Sequence, residues 1–179
     1  MPRSQPIERQ IITKGIYKAA AGVGVAYIAL YFAFPIPVPP LPYTIDRLVY
    51  TLRLQSFSCL TVIAGIADVS LTRFQTTAID PINGRGEHHV ALSVRYLSNT
   101  LEQFVVSFVG QVILATYLTE PQMKNIPILV AFFVAGRLMY YIGYRSSYLQ
   151  RAPGFAVTAI PSLVVWVCVM LYVISDVLS

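Results

Sequence analysis

Apolar residues run almost unbroken through five stretches of this chain, and polar residues gather between them. The runs cover about Ile16–Phe34, Leu48–Leu71, Val90–Leu118, Ile126–Tyr144 and Phe155–Val177. Each is about 20 residues or longer, enough to cross a hydrocarbon core of roughly 30 Å at 1.5 Å per residue. The pattern therefore predicts five membrane-spanning helices. Between the first two lies Phe34-Pro-Ile-Pro-Val-Pro-Pro-Leu-Pro42. Its prolines lack N–H donors and clash with a helical backbone, so it predicts a short extended connector. No internal repeat or low-complexity segment interrupts the pattern.

Composition agrees with a membrane chain. Of 179 residues, 56% are hydrophobic and 12% charged, against about 25% charged in a soluble domain. Twelve Tyr and nine Phe suit interfacial and lipid-facing positions. The net charge of +5 comes from basic residues scattered at span ends, which argues against a nucleic-acid partner. Two cysteines, Cys59 and Cys168, supply neither a disulfide framework nor zinc spacing. The segment Met1–Lys18 is polar and basic, with no small-residue cleavage site after it, and reads as an uncleaved anchor. Arg3, Arg9, Lys14 and Lys18, then Arg73, Arg85 and Arg95, then Arg145 and Arg151, fall at every second break between the spans, and so all on one side of the membrane. The positive-inside rule then puts the N-terminus in the cytosol and the C-terminus on the lumenal side of an endomembrane.

Five ionisable residues sit inside or at the edge of these runs: Arg73, Arg95, Glu102, Arg137 and Arg151. A charge at the bilayer centre costs roughly 2.5–3.5 kcal/mol on insertion scales, so such residues face a partner or a polar cavity. On the third span Arg95, Asn99 and Glu102 stand at i, i+4 and i+7, one helical face. On the fourth, Arg137, Tyr140 and Tyr144 stand at i, i+3 and i+7. Glu102 and Arg137 each lie about 10 Å inward from the outermost member of their stripe, so antiparallel spans would bring them to one depth as an ion pair. Toward the cytosol, Asn99, Tyr140, Arg95, Tyr144 and Arg151 would complete a polar slot. Arginine forks suit carboxylates, so the slot fits a small anion carrying several carboxylates and amides. The plainer alternative is a polar network that holds helices together.

Three segments carry a family resemblance. Arg95-Tyr-Leu-Ser-Asn-Thr-Leu-Glu102 resembles the R-x-x-x-N-x-x-E signature of the second helix of MAPEG proteins, the membrane-associated proteins of eicosanoid and glutathione metabolism. Gly136-Arg-Leu-Met-Tyr-Tyr-Ile-Gly-Tyr144 resembles the family's third-helix motif, and Arg151-Ala-Pro-Gly154 the turn that opens its last helix. The resemblance covers about residues 48–177. It implies an all-α, MAPEG-like four-helix bundle in residues 48–179, assembled as a homotrimer. Residues 1–47 would add a cytosolic N-terminus, an extra transmembrane helix and a Pro-rich lumenal connector. Pro42-Tyr-Thr-Ile-Asp-Arg-Leu-Val-Tyr50 and Ala115-Thr-Tyr-Leu118 resemble a five-span, mattrin-like branch of the family, in which a long tail precedes the first span.

The family binds glutathione between subunits near the cytosolic face. By resemblance, Arg95, Asn99 and Glu102 would hold the peptide's charged ends and amides, and Arg137 would count among the glutathione-binding residues. Tyr140 and Tyr144 would add hydroxyl contacts, and Arg73 would take a basic position at the end of the second span. Arg151 would stabilise the glutathione thiolate, since a nearby cation favours the reactive form. Two departures stand out: Gln103 replaces a frequent tyrosine, and Phe155 and Ala156 replace the Arg and Ser of the prostaglandin-forming branch. Two functions stay open. One is a glutathione transferase or peroxidase acting on lipophilic electrophiles from the bilayer. The other is a non-catalytic regulator that binds lipids or a membrane-protein partner. A channel or transporter lacks the Gly- or Pro-broken spans such proteins use. His88 and His89 read as solvated, Asp68 as a local ion-pair partner, and Trp166 and Met170 as packing or lipid-facing residues.

Overall fold

A computed structural model describes residues 5–80, 82, 84 and 86–178. Arg85, counted above among the loop cations, lies outside the described residues. The five predicted spans are all present: α1 (Gln5–Ala33), α2 (Thr44–Gln75), α3 (Glu87–Tyr117), α4 (Asn125–Ser146) and α5 (Arg151–Leu178). All are long and apolar enough to cross a membrane, and no strand occurs among the described residues. The protein is thus an all-α membrane protein. The proline connector is non-helical, as its missing donors require. Pro161 sits inside α5, a proline the span count above passed over, and the helix continues through it.

The helices overrun the apolar stretches because polar ends add capped turns. Asp46 accepts a hydrogen bond from the Tyr43 N–H at the start of α2 (3.2 Å). At the start of α3, Gly86 adopts φ 72° and lies against Thr77 and the Ala78 backbone. That left-handed conformation and that close approach both require the missing Cβ.

Two antiparallel hairpins, α2 with α3 and α4 with α5, make the closest helix pairs, and α1 lies along α5 and α4. Small and polar residues build the seams, as expected where lipid removes the hydrophobic drive between helices. The face of α2 buried against α3 carries Thr51, Gln55, Ser58, Thr61 and Gly65. Gln55 donates to Gln111 (2.8 Å), which donates to Ser107 (2.7 Å). In the other hairpin a side chain at Gly154 would run into the Tyr140 backbone, and one at Gly136 into Thr158. These two glycines therefore set how closely α4 and α5 approach.

One end of the bundle is tied by the Arg73–Glu87 ion pair (2.7 Å) and by Arg145–Asp68 (2.9 Å). Asp68 is thus partnered across helices, not within its own. At the other end Arg47 donates to the Leu118 carbonyl, and Tyr117 stacks on Tyr172 (5.0 Å). Helix α1 is fastened at both ends: Tyr148 donates to Glu8, and Tyr27 donates to Asn125 (2.5 Å). Trp166 packs against α3 and donates to the Val106 carbonyl (3.0 Å).

Candidate functional site

A pocket of about 350 Å³ opens at the end of the bundle where α1 and α5 begin. Helix α3 presents Arg95, Asn99 and Glu102 to it from one face, as their i, i+4, i+7 spacing requires. Helix α4 adds Tyr140, and the start of α5 adds Arg151 and Phe155. Helix α1 closes the apolar side with Ile12 and Ile16. Five of the eight residues expected at the site, Arg95, Asn99, Glu102, Tyr140 and Arg151, thus line one cavity.

Tyr144 stands just behind this wall. Its ring is 5.7 Å from that of Tyr140, and the Arg151 guanidinium lies over it at 4.9 Å. The Tyr144 ring orients Arg151, which has no carboxylate partner among the described residues, so its charge stays available to the pocket. Arg95 and Glu102 make no hydrogen bond or ion pair among the described residues. The pocket therefore offers two cations and one carboxylate that no ion pair among the described residues neutralises, together with the Asn99 amide.

Arg137 departs from expectation. It does not pair with Glu102, which is exposed and turned to the pocket. Arg137 is fully buried. Its Nη1 donates to Asn99 (2.9 Å), and its Nε and Nη2 donate to Thr158 Oγ1 (3.1 and 2.8 Å). The guanidinium carbon also sits 4.9 Å from the Tyr140 ring centre. Equal depth on α3 and α4 was insufficient to pair them, because α5 supplies the nearer acceptor. Thr158 was missed in the sequence, yet Arg151, Gly154, Thr158 and Ser162 form a small and polar stripe on α5 that would have shown it. Arg137 supports the pocket from beneath by fixing Asn99.

Arg73 also lies elsewhere. It is held by Glu87 and the Ala78 carbonyl (3.0 Å), outside the pocket. His88 and His89 are exposed, and no group of three or more metal-ligating side chains occurs among the described residues.

The sequence profile of the MAPEG family matches residues 44–171. The chain belongs to the MAPEG family. The match begins where α2 begins, leaving α1 and the connector outside it. Among curated relatives, transmembrane protein 79 of Bos taurus is 29% identical over 167 residues, covering 88% of this chain and 42% of that protein. Transmembrane protein 79 of Mus musculus is 28% identical over 147 residues, covering 81% of this chain and 37% of that protein. These are the mattrin-like relatives that the first span and connector suggested. The chain spans less than half the length of both. No solved structure matches it.

Proposed function

We propose that this MAPEG protein binds glutathione in the pocket between α1, α3, α4 and α5. The observation that supports it is the convergence of Arg95, Asn99, Glu102, Tyr140 and Arg151 on one cavity, with Arg95, Glu102 and Arg151 in no ion pair among the described residues. Glutathione carries two carboxylates, an ammonium, two amides and a thiol. The arginines suit the carboxylates, Glu102 the ammonium, and Asn99 and the Tyr140 hydroxyl the amides. Arg151 beside the thiol would favour thiolate. A lipophilic electrophile would meet it from the side walled by Ile12, Ile16 and Phe155. The orientation that goes with this reading puts the pocket at the cytosolic face of an endomembrane, and the family suggests a homotrimer. The second reading, a non-catalytic regulator, is favoured by Phe155, an apolar residue in the pocket wall where the prostaglandin-forming branch places Arg.

Thermal melting in nanodiscs tests binding. Glutathione should raise the melting temperature in proportion to ln(1 + [L]/Kd). Arg95→Ala should abolish the shift, and Arg53→Ala, on the exposed face of α2, should leave it intact. No shift at millimolar glutathione overturns the proposal. If glutathione binds but no electrophile or hydroperoxide in a broad panel is turned over, the regulator reading replaces the enzyme.

A further inference from the structure

A second cavity, of about 410 Å³, lies in the other half of the bundle. Its walls are α1, α4, α5 and the end of α3. It extends along α5 from Ile160 to Tyr172, about 18 Å at 1.5 Å per residue. Most of its lining is apolar, and no charged side chain is among the described residues that line it. Pro161 faces this space, where it cannot donate a backbone hydrogen bond.

The polar groups cluster at one end. Tyr27 donates to Asn125 Oδ1 (2.5 Å), which leaves the Asn125 amide N–H₂ as an outward donor. Gln122 Oε1 accepts from the Thr119 N–H (2.9 Å), so its N–H₂ is likewise turned away. Neither amide donor has an acceptor among the described residues. Lys124, close in sequence, is engaged elsewhere: it donates to the Tyr31 carbonyl (2.9 Å) and lies over the Tyr31 ring (3.6 Å). The cavity is thus an elongated apolar slot at membrane depth with two neutral donors at one end. Ligand sites commonly combine an apolar lining with a few placed polar groups. Neutral donors suit a neutral acceptor, such as an ester carbonyl, and supply no cation for a carboxylate or phosphate.

We infer that this cavity holds one acyl chain of an esterified membrane lipid, with the ester carbonyl accepting from Asn125 and Gln122. Helix α1 forms one wall through Val23, Gly24 and Tyr27, so the site depends on the span that lies outside the family match. It is separate from the glutathione pocket and does not rest on that reading.

The test uses the full chain in nanodiscs containing phosphatidylcholine with a diazirine on one acyl chain. The sample is moved into detergent to strip loose lipid, then irradiated, and adducts are mapped by mass spectrometry. The expected result is one retained lipid per chain, with adducts on cavity residues such as Leu129 and Val164. A Cβ at either Gly24 or Gly22 meets nothing within 4 Å, but only Gly24 lines the cavity. Gly24→Phe should therefore lower the yield about tenfold, and Gly22→Phe should not. Val164→Trp, at a position 57% exposed, is a second filler should Gly24→Phe fail to fold. Asn125→Asp keeps the acceptor for Tyr27 but removes the donor, and should also lower the yield. The inference is overturned by an undiminished yield in the folded fillers, or by equal adducts on the outward residues Val167 and Leu171. Labelling of the cavity by a photoreactive sterol or free fatty acid in place of the phospholipid overturns it as well.

Discussion

The guanidinium of Arg137 and that of Arg151 both lie where α4 meets α5, in opposite surroundings. Arg137 is fully enclosed, and its donors are taken up by Asn99 and Thr158. Arg151 is partly exposed, leans on the Tyr144 ring and faces an open pocket. A buried cation whose hydrogen bonds are all made within the chain holds a structure together. A cation left without an anion at a cavity wall is suited to a ligand. The same residue type, once in the middle of α4 and once at the start of α5, thus serves two purposes, and the difference lies in what the neighbouring helix offers.

The largest effect is expected from removing the enclosed arginine. Arg137→Ala opens a cavity and strands Asn99 and part of Thr158, which should lower stability by about 3 kcal/mol or more. Thermal melting in nanodiscs measures it, and wild-type melting would show that the buried cluster is dispensable. Arg137→Lys should fall between, because one ammonium cannot bridge Asn99 and Thr158 as the fork does.

Arg151→Ala should change stability by no more than about 0.5 kcal/mol and act on the ligand. Loss of the cation removes the stabilisation of thiolate, so the apparent pKa of bound glutathione should rise toward the unperturbed thiol value of about 8.5. Ultraviolet absorbance of the thiolate against pH reads this with or without turnover. An unchanged titration would exclude Arg151 as the activating group.

Glu102 and Arg137 should be energetically independent. In a double-mutant cycle of Glu102→Gln and Arg137→Met, the coupling should stay within about 0.5 kcal/mol. A direct buried pair would give roughly 3 kcal/mol or more, and that result would redraw the site.

A local effect is expected at the α1 fastening. Tyr148→Phe removes an exposed hydrogen bond to Glu8 and should cost at most about 1 kcal/mol. Hydrogen exchange at residues 5–16 should nonetheless quicken, since that bond holds the first turns of α1 over the pocket. Unchanged exchange would show that packing of α1 on α5 suffices.

Much of the site was legible because helices convert spacing into faces. Arg95, Asn99 and Glu102 share a face of α3 whatever surrounds it, and they line the pocket together. The buried polar face of α2 was not legible. Gln55, Ser107 and Gln111 stand among apolar residues with no pattern to separate packing from function, and only their mutual hydrogen bonding explains them. Arg73 read as a site residue because it is basic and sits at a span end. Glu87, fourteen residues on, claims it instead.

The sequence alone determined the five spans, the non-helical connector and the MAPEG motifs. Run length against bilayer thickness, the missing proline donors and helical periodicity are local properties. Only the tertiary structure decided that Thr158 and Asn99, not Glu102, receive Arg137, and that α1 walls both cavities. Periodicity fixes a side chain's direction about its own helix axis. It leaves free the rotation and choice of neighbouring helices, which are set by how closely backbones approach. Here Gly136 and Gly154 bring α4 and α5 close enough for Thr158 to reach the buried guanidinium first.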